Sequence, residues 1–212
     1  MDNRSVTAIL FDLDGTITDS YSGLQYAFDY AYEQVYHQPS QYNIRPLVGP
    51  PMRQIFKKLT GEEDEETITK FIRIFQSKYD SESYRMCDLF SGMEELLKQL
   101  HEVGIQLYIA TNKRLLPTQL VLEHLNINKY FKAVYSIDCV QPPYINKAIM
   151  VKDILSHEKL QPEHTLFIGD TQHDRHGAEE NGLKFIYAEY GFGDMEKLPF
   201  SIKHASELLQ YL

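Results

Sequence analysis

The sequence predicts an α/β fold, in which helices cover a parallel β-sheet and a helical segment is inserted near its start. Three observations support this: short apolar runs recur along the chain, helical patterns lie between them, and residues 18–84 break the alternation with helical patterns of their own. We therefore expect an α/β core of residues 1–17 and 85–212 and a helical cap domain of residues 18–84.

Five apolar runs predict the strands of the sheet. They are too short for helices and too continuous for half-exposed strands, and they cover residues 7–11, 105–110, 132–137, 165–170 and 184–190. Strands that are apolar on both faces are typical of parallel sheets buried between helices. In such open sheets, ligands bind outside the carboxyl ends of the strands.

Helical spacing of apolar residues predicts the helices. In the core, the pattern covers residues 92–104 and 147–160. In the cap, it covers residues 22–36 and 67–79. We interpret the aromatic-rich face of residues 21–36 as a packing surface rather than a cofactor site. The acidic run at residues 61–66 is placed where a helix N-terminus favours negative charge, so we expect a solvated first helical turn there.

Composition and charge narrow the class of protein. The 212 residues are 43% apolar and 24% charged, as in ordinary globular proteins, so a disordered chain is excluded. The formal net charge of -9 argues against nucleic acid or an anionic membrane as the main partner, because both require a basic surface. The only two cysteines are too few for a disulfide framework, and no run approaches the roughly 18 apolar residues of a membrane span. We expect a cytoplasmic protein.

The stretch AILFDLDGTITDS, residues 8–20, runs a buried strand directly into Asp12 and Asp14. Asp170 and Asp174 follow another predicted strand in FIGDTQHD. At about 4 Å and an effective dielectric constant near 20, each pair of carboxylates would repel by roughly 4 kcal/mol. Such a cluster requires a cation, and hard oxygen ligands together with a phosphate suit Mg²⁺.

Two other segments supply groups that complement an anion. Thr111 and Asn112 follow the strand in IATNK and offer a hydroxyl, an amide and backbone N–H groups. Lys147 begins a predicted helix, where its charge and the helix N-terminus can both face a phosphate. Carboxylates, a hydroxyl, a lysine and a metal together indicate phosphoryl transfer.

With these residues the chain resembles the haloacid dehalogenase-like phosphohydrolases, in particular the phosphoglycolate-phosphatase-like branch with a helical cap after the first strand. The similarity covers nearly the whole length, through DLDGT, IATNK, Lys147 and GDTQHD in the family's order. It implies a Rossmann-like core. It also implies hydrolysis of a small phosphomonoester, with phosphoglycolate as the leading substrate and pyrophosphate, nucleotides and sugar phosphates as alternatives.

The resemblance also implies roles for the residues. Asp12 would attack phosphorus to give an aspartyl-phosphate, and Asp14 would protonate the leaving oxygen and then activate water. Thr111 and Lys147 would hold the phosphoryl oxygens.

The resemblance implies the metal ligands as well. Mg²⁺ would bind Asp12, the backbone carbonyl of Asp14, and Asp170. Asp174 would be a further ligand, a partner of the ligands or a helix N-cap, and these roles can coexist.

Several assignments stay open at this stage. Many members of the branch carry the lysine in a Lys-Pro pair, whereas here Gln141 precedes the proline, so Lys147 competes with a role as a surface helix residue. Arg53, after a Gly-Pro-Pro turn in the cap, could hold an anionic part of the substrate or simply be solvated. His173 and His176 suggest zinc, but the hard-oxygen cluster favours histidines that lie at the surface or contact the ligands from outside.

A phospho-receiver module is the rival from another class, because it also sets aspartates, a hydroxyl and a lysine around Mg²⁺. It has no use for a cap directly after the acidic pair, or for a second aspartate as leaving-group acid. We therefore expect an enzyme, acting on a small phosphate ester as a monomer or a homodimer.

Overall fold

The computed structural model describes residues 5–212 and contains a parallel sheet of six strands beside a separate two-stranded ribbon. The strands are β1 (Ala8–Phe11), β2 (Thr18–Asp19), β3 (Asp88–Leu89), β4 (Gln106–Thr111), β5 (Ala133–Ser136), β6 (Thr165–Gly169), β7 (Lys184–Ala188) and β8 (Ser201–Ile202). The five predicted strands are confirmed as β1, β4, β5, β6 and β7. The α/β fold class is confirmed with them.

The large sheet has the strand order β5-β4-β1-β6-β7-β8, and every neighbouring pair is parallel. The first strand of the chain therefore lies inside the sheet, with β4 on one side and β6 on the other. Because the chain order reverses around β1, its carboxyl end opens into the crevice where such sheets bind ligands.

The helices are α1 (Tyr21–Tyr36), α2 (Met52–Thr60), α3 (Glu65–Ser81), α4 (Met93–Glu102), α5 (Leu115–His124), α6 (Lys147–Glu158) and α7 (Gln172–Glu179). Strand β1 shows how they cover the sheet. Ile9 and Phe11 belong to the core that includes α4 and α5, whereas Ala8 and Leu10 belong to the core under α6 and α7. All four side chains are fully buried, as a strand covered on both faces requires.

Helices α1, α2 and α3 form the insertion after the first strand, and aromatic rings pack between them. The rings of Phe56 and Phe71 are stacked with centroids 3.9 Å apart, and Phe28 meets Phe71 edge to face at 5.1 Å. Such pairs add about 0.5–1.5 kcal/mol to the burial of each ring. The prediction that this aromatic face is a packing surface is confirmed.

The two connections between the insertion and the sheet run side by side as the antiparallel pair β2 and β3. This pair lies close to the predicted boundaries at residues 17 and 85, although the division into two domains stays a prediction. The acidic run behaves as predicted, because Asp64 caps α3 by accepting from Thr67 N at 2.8 Å and exposed glutamates fill the first turn. Within residues 5–212, none of the helices combines the length and apolarity needed to cross a lipid bilayer.

Candidate active site

Side chains predicted from the sequence meet at the carboxyl ends of three neighbouring strands. Asp12 directly follows β1, Thr111 ends β4 and Asp170 directly follows β6. Lys147 is the first residue of α6, whose N-terminus is capped by Asn146. The parallel register of the sheet brings these residues from distant parts of the chain to one edge.

Lys147 lies among carboxylates. Its Nζ is 2.6 Å from Asp12 Oδ1, and it also donates to Asp174 Oδ1. All three residues are buried. Burial alone disfavours the ammonium, but the charges of Asp12 and Asp174 raise the pKa of Lys147 above its ordinary value. Lys147 is therefore a buried cation at the cluster, and the alternative of a surface helix residue is excluded.

Asp170 is held by neutral donors. Its Oδ2 accepts from Phe192 N at 2.7 Å and Gly193 N at 3.1 Å, and its Oδ1 accepts from Thr16 Oγ1 at 3.3 Å. Burial, with a neighbouring carboxylate, raises the pKa of Asp170 to about 7. The turn at Gly15 makes room for it, because a Cβ at this position, where φ is +91°, would lie 2.3 Å from Asp170 Oδ2.

The two carboxylate oxygens of Asp174 make different contacts, one with the start of helix α7 and one with Lys147. Helix α7 begins with a capping box, in which Thr171 is the N-cap and Asp174 is the third helical residue. Thr171 N and Thr171 Oγ1 donate to Asp174 Oδ2 at 2.9 and 2.6 Å. The prediction of Asp174 as the N-cap is therefore wrong by three residues, since Thr171 takes that place. The other carboxylate oxygen of Asp174, Oδ1, accepts from Lys147.

The carboxylate cluster fits a divalent cation. One oxygen from each of Asp12, Asp170 and Asp174 lies within 4.8 Å of the others. Three carboxylates facing the single ammonium of Lys147 leave two negative charges, which is a large penalty in a buried site unless a cation neutralises them. The ligand atoms are hard oxygens, which suit Mg²⁺. Burial and the neighbouring carboxylates raise the pKa of Asp12 in the absence of such a cation.

Asp14 points away from this cluster. Its carboxylate accepts from Lys113 Nζ at 2.9 and 3.0 Å and from Ser20 Oγ at 2.6 Å. Burial disfavours the charge on Lys113, but Asp14 raises the pKa of that ammonium above its ordinary value. Asp14 can therefore contribute to the metal only through its backbone carbonyl, as the family resemblance implies. That contribution stays a prediction.

Thr111 and Asn112 lie at the same edge of the sheet, and both line a cavity between the strand ends and the helical insertion. Thr111 is buried, and its hydroxyl oxygen accepts from Lys113 N at 3.1 Å, which leaves the hydroxyl proton free to donate. Asn112 Nδ2 donates to Gly49 O at 2.9 Å and so ties the sheet to the helical insertion. The phosphate-binding roles of both residues stay predictions.

The cavity has a volume of about 310 Å³ and lies between the strand ends and the insertion. Asp12, Asp14 and Thr111 lie on the side of the sheet. Helices α1, α2 and α3 and the Gly-Pro-Pro turn supply most of the opposite wall, which is largely apolar. Asp12, Asp14 and Thr111 therefore face a partly enclosed space between the strand ends and the insertion.

Three other residues predicted from the sequence, Arg53, His173 and His176, lie outside the carboxylate cluster. Arg53 lines the cavity, but its guanidinium is paired with the exposed Glu65 of α3. Its role as a substrate residue stays a prediction. His173 and His176 are exposed on α7, as predicted for surface histidines.

Sequence reasoning missed the residues that join the insertion to the sheet edge. Lys113 Nζ lies 4.4 Å from the centre of the Tyr79 ring, and Arg114 Nη2 bonds both oxygens of Asp80 at 2.7 Å. With Asn112, three consecutive residues after β4 thus contact the insertion. Lys113 could have been noticed, because it is the last residue of the IATNK stretch. Nothing in the sequence, however, indicates that it pairs with Asp14.

The fold and the strand-end residues define the class of protein, a doubly wound α/β protein whose candidate site lies at the switch point of the sheet. The chain belongs to the haloacid dehalogenase-like hydrolases, because the sequence profile of that family matches residues 9–188. The predicted family and the prediction of an enzyme are confirmed.

Relatives of this chain carry different names within phosphate chemistry. A 5'-nucleotidase of Pseudomonas aeruginosa is 31% identical over 90% of this chain and 86% of its own. The tyrosine-protein kinase PtkA of Mycobacterium tuberculosis is 29% identical over 90% of this chain, which spans only 64% of that protein. The pyrophosphatase PpaX of Halalkalibacterium halodurans is 27% identical over 87% of this chain and 84% of its own.

Solved structures show the same fold. A haloacid dehalogenase-like hydrolase from Streptococcus pneumoniae matches with a TM-score of 0.87 and 30% identity, over 97% of this chain and 98% of its own. A structure from Haemophilus somnus, described as a predicted phosphoglycolate phosphatase, matches with a TM-score of 0.86 and 22% identity over 97% of both chains. At that identity the second match is evidence for the fold alone.

Proposed function

We propose that this protein is a Mg²⁺-dependent phosphomonoester hydrolase that works through an aspartyl-phosphate on Asp12. The observation that carries the proposal is the position of Asp12, which is buried beside Lys147, belongs to a cluster of hard oxygen ligands and lines the cavity between the strand ends and the insertion. A nucleophilic carboxylate needs nearby positive charge, here from Lys147 and the proposed Mg²⁺, to stabilise the charge of an incoming phosphate.

In the first half-reaction, a carboxylate oxygen of Asp12 attacks phosphorus. The new oxygen–phosphorus bond forms as the ester oxygen–phosphorus bond breaks, and Asp14 gives its proton to the departing alcohol oxygen. Lys147 stabilises the negative charge on the phosphoryl oxygens, and the hydroxyl of Thr111 donates a hydrogen bond to one of them.

In the second half-reaction, water attacks the phosphorus of the aspartyl-phosphate. Asp14 takes a proton from that water, inorganic phosphate leaves and the carboxylate of Asp12 is restored. The ion pair with Lys113 suits this step, because the base must be ionised. In the first step Asp14 must instead carry a proton. The ion pair between Lys113 and Asp14 therefore has to open when substrate enters.

Asp12, Asp170 and Asp174 would hold the Mg²⁺, with the backbone carbonyl of Asp14 completing the protein ligands. The bound ion supplies positive charge that offsets repulsion between these carboxylates and a phosphate dianion. Asp170 is oriented for this by its three neutral donors, and Asp174 by its bond to Thr171.

The substrate is a small phosphorylated metabolite. Phosphoglycolate is the substrate suggested by the resemblance, whereas the name of the 31% identical relative favours a nucleoside 5'-monophosphate. We also retain the predictions of a reducing, cytoplasmic location, with which the free thiols of Cys87 and Cys139 agree, and of a monomer or homodimer.

The direct test is a phosphate-release assay of the purified protein over a panel of phosphate esters and pyrophosphate with Mg²⁺. Rapid acid quench with a radiolabelled substrate should trap label on a peptide that contains Asp12. A long-lived phosphoprotein without turnover would instead indicate the receiver module, and transfer of label to tyrosine would indicate a kinase.

A further inference from the structure

Asp170, one of the proposed Mg²⁺ ligands, depends on a loop for its orientation. Residues 189–200 connect β7 to β8 and form neither helix nor strand. Two successive N–H groups of this loop, those of Phe192 and Gly193, donate to Asp170 Oδ2. Because these donors lie outside the ladder of the sheet, their position depends on how the side chains of the loop pack.

The loop lies tightly against Asp170, and Phe192 anchors it. A Cβ at Gly191 would lie 2.3 Å from Asp170 Cβ, and one at Gly193 would lie 1.8 Å from Asp170 O. Both neighbours of Phe192 must therefore lack a side chain, because there is no room for one. The ring of Phe192, which is only 6% exposed, is thus the side chain that holds the two N–H donors in place.

The helical insertion supplies part of the surface on which this ring packs. The guanidinium of Arg45 lies 4.8 Å from the centre of the Phe192 ring and 5.4 Å from the centre of the Tyr21 ring. Arg45 begins a short 3₁₀ turn between α1 and α2, and its Nη1 lies 3.9 Å from Asp19 Oδ1. A guanidinium is attracted to the face of an aromatic ring and can stack on it. Arg45 therefore joins the insertion to the loop that orients Asp170.

We propose that Arg45 is a positioning residue for the metal site. Through the ring of Phe192 it holds the two N–H donors on Asp170, so that the affinity for Mg²⁺ depends on how the insertion docks on the sheet. This inference rests on the Mg²⁺ site of the proposed function and deepens it.

The size of the effect follows from the position of Arg45. Loss of a group that orients a metal ligand typically lowers metal affinity by about 10- to 100-fold. Arg45 acts through one further residue, and its side chain is 41% exposed, which weakens its attraction to the ring. We therefore expect an effect below that range.

The test measures Mg²⁺ affinity by calorimetric titration of the full chain with MgCl₂ and no substrate. Arg45→Met removes the guanidinium and keeps an apolar stem, and it should weaken Mg²⁺ binding by about 3- to 10-fold. Arg45→Lys should recover part of the loss, because the ammonium keeps a cation over the ring. The sign is diagnostic, since loss of a positive charge near the site would by itself strengthen Mg²⁺ binding.

A double variant shows whether Arg45 acts through the ring. Phe192→Leu keeps the backbone N–H but removes the aromatic face, and it should weaken Mg²⁺ binding by about 10-fold or more. Adding Arg45→Met to Phe192→Leu should then change the affinity by less than about 2-fold. Equal effects of Arg45→Met in both backgrounds would overturn the inference, as would unchanged or stronger binding in Arg45→Met alone.

Arg85→Met is the matched control. The guanidinium of Arg85 also lies over an aromatic ring, that of Tyr84 at 4.5 Å, but this ring is not part of the loop. Arg85→Met should leave the Mg²⁺ affinity unchanged, and urea unfolding without metal verifies that each variant is folded. A loss equal to that of Arg45→Met would mean that any such substitution lowers the affinity, and would refute the role of Arg45.

These outcomes separate the inference from the proposed function. If the dependence on Arg45 held but the protein released no phosphate from any ester, the hydrolase would fall and the positioning role would stand. If wild type and Arg45→Met bound Mg²⁺ equally well, the positioning role would fall and the hydrolase would stand. Wild-type protein that bound no Mg²⁺ would refute the metal site and, with it, this inference.

Discussion

Lys113 Nζ lies 2.9 Å from Asp14 Oδ2 and 4.4 Å from the centre of the Tyr79 ring, so one buried ammonium joins the proposed acid–base residue to the helical insertion. The side chains of Lys113 and Asp14 are only 6% and 13% exposed. Any movement of α3 away from the sheet would therefore remove a neighbour of the cation that holds Asp14. The position of α3 over the cavity is thereby linked to the protonation of Asp14, the proposed acid–base residue.

Removing this cation should destabilise the protein. We expect Lys113→Met to lower the free energy of unfolding by about 3–5 kcal/mol, since a carboxylate is left without its partner in a mostly buried site. Because the pKa of Lys113 is raised in the folded state, the pair contributes fully below the unfolded pKa of about 10.4 and is lost only as pH rises above it. Urea unfolding at pH 7 therefore measures the whole effect.

The exposed pair Lys98 and Glu102 is the matched control for that measurement. Both side chains are more than half exposed, and Lys98→Met should change the unfolding free energy by less than about 1 kcal/mol. Adding Asp14→Asn to Lys113→Met should recover part of the loss, because the uncompensated charge is gone. A strictly additive double variant would contradict the coupling.

Asp12 and Asp14 should differ in the kind of loss they cause. Asp12→Asn is expected to abolish turnover, because an amide cannot form the acyl-phosphate. Asp14→Asn should still accept phosphate from a good leaving group but release it more slowly, with kcat lowered by about 10²- to 10⁴-fold. Quench-flow analysis with a radiolabelled ester separates the two steps, and more than trace activity in Asp12→Asn would show that another residue is the nucleophile.

The elements that the sequence predicted well are those with a strong repeating pattern. The continuous apolar runs at residues 105–110 and 165–170 match β4 and β6 closely, because the middle of each strand, residues 107–110 and 166–168, is buried on both faces and entirely apolar. The start of helix α7 was predicted three residues too late, because QHDRHGAE buries only Asp174 and two small residues, which gives no apolar period to mark the helix. Strands of two residues, such as β8, carry no pattern at all.

The site was predictable as far as residue types at strand ends reveal chemistry. Asp12, Asp170 and Lys147 were found because charged residues that interrupt a buried strand or open a helix are unusual there. Contacts between the sheet and the insertion could not be read, since the Lys113–Asp14 pair spans 99 residues and depends on how the two parts pack. The volume of the cavity belongs to the same category, since it too depends on how the insertion packs on the sheet edge.

Lys147 should matter far more than Gln141. Its ammonium is buried and donates to Asp12, whereas Gln141 is exposed. We expect Lys147→Ala to lower kcat by about 10²-fold or more, as with the loss of one preorganised electrostatic contact. Gln141→Ala, measured in the same steady-state assay, should stay within about 2-fold of wild type, and small, equal effects at both positions would mean that Lys147 has no role in phosphoryl transfer.

Removal of the metal should abolish activity reversibly. With three carboxylates against one lysine, the cluster needs two further positive charges before a phosphate dianion can approach. Excess chelator should stop phosphate release, and added Mg²⁺ should restore it, whereas Zn²⁺ should substitute poorly because the ligands are hard oxygens. Metal analysis after purification gives the second readout, and full activity in chelator or a stoichiometric zinc content would refute the assignment.

Arg53 is the candidate for contact with the far end of the substrate. It lines the cavity at its exposed edge, and its ion pair with Glu65 is solvent-exposed, so breaking that pair costs less than about 1 kcal/mol. We therefore expect Arg53 to leave Glu65 when a ligand offers an oxygen or an anionic group there. Arg53→Ala should raise KM for phosphoglycolate several-fold and change KM for phenyl phosphate far less. Arg53→Lys should recover part of the loss, because lysine keeps the charge without the bidentate fork.

The matched control for Arg53 is Lys57, which shares Glu65 but lies outside the cavity lining. Lys57→Ala should leave KM for both esters close to the wild-type values in the same assay. If Arg53→Ala raised KM equally for the two esters, the loss would come from altered packing of α2 against α3, and Arg53 would have no contact with the substrate. If Lys57→Ala reproduced the selective loss, the charge of Glu65 would be its cause, and not the guanidinium of Arg53.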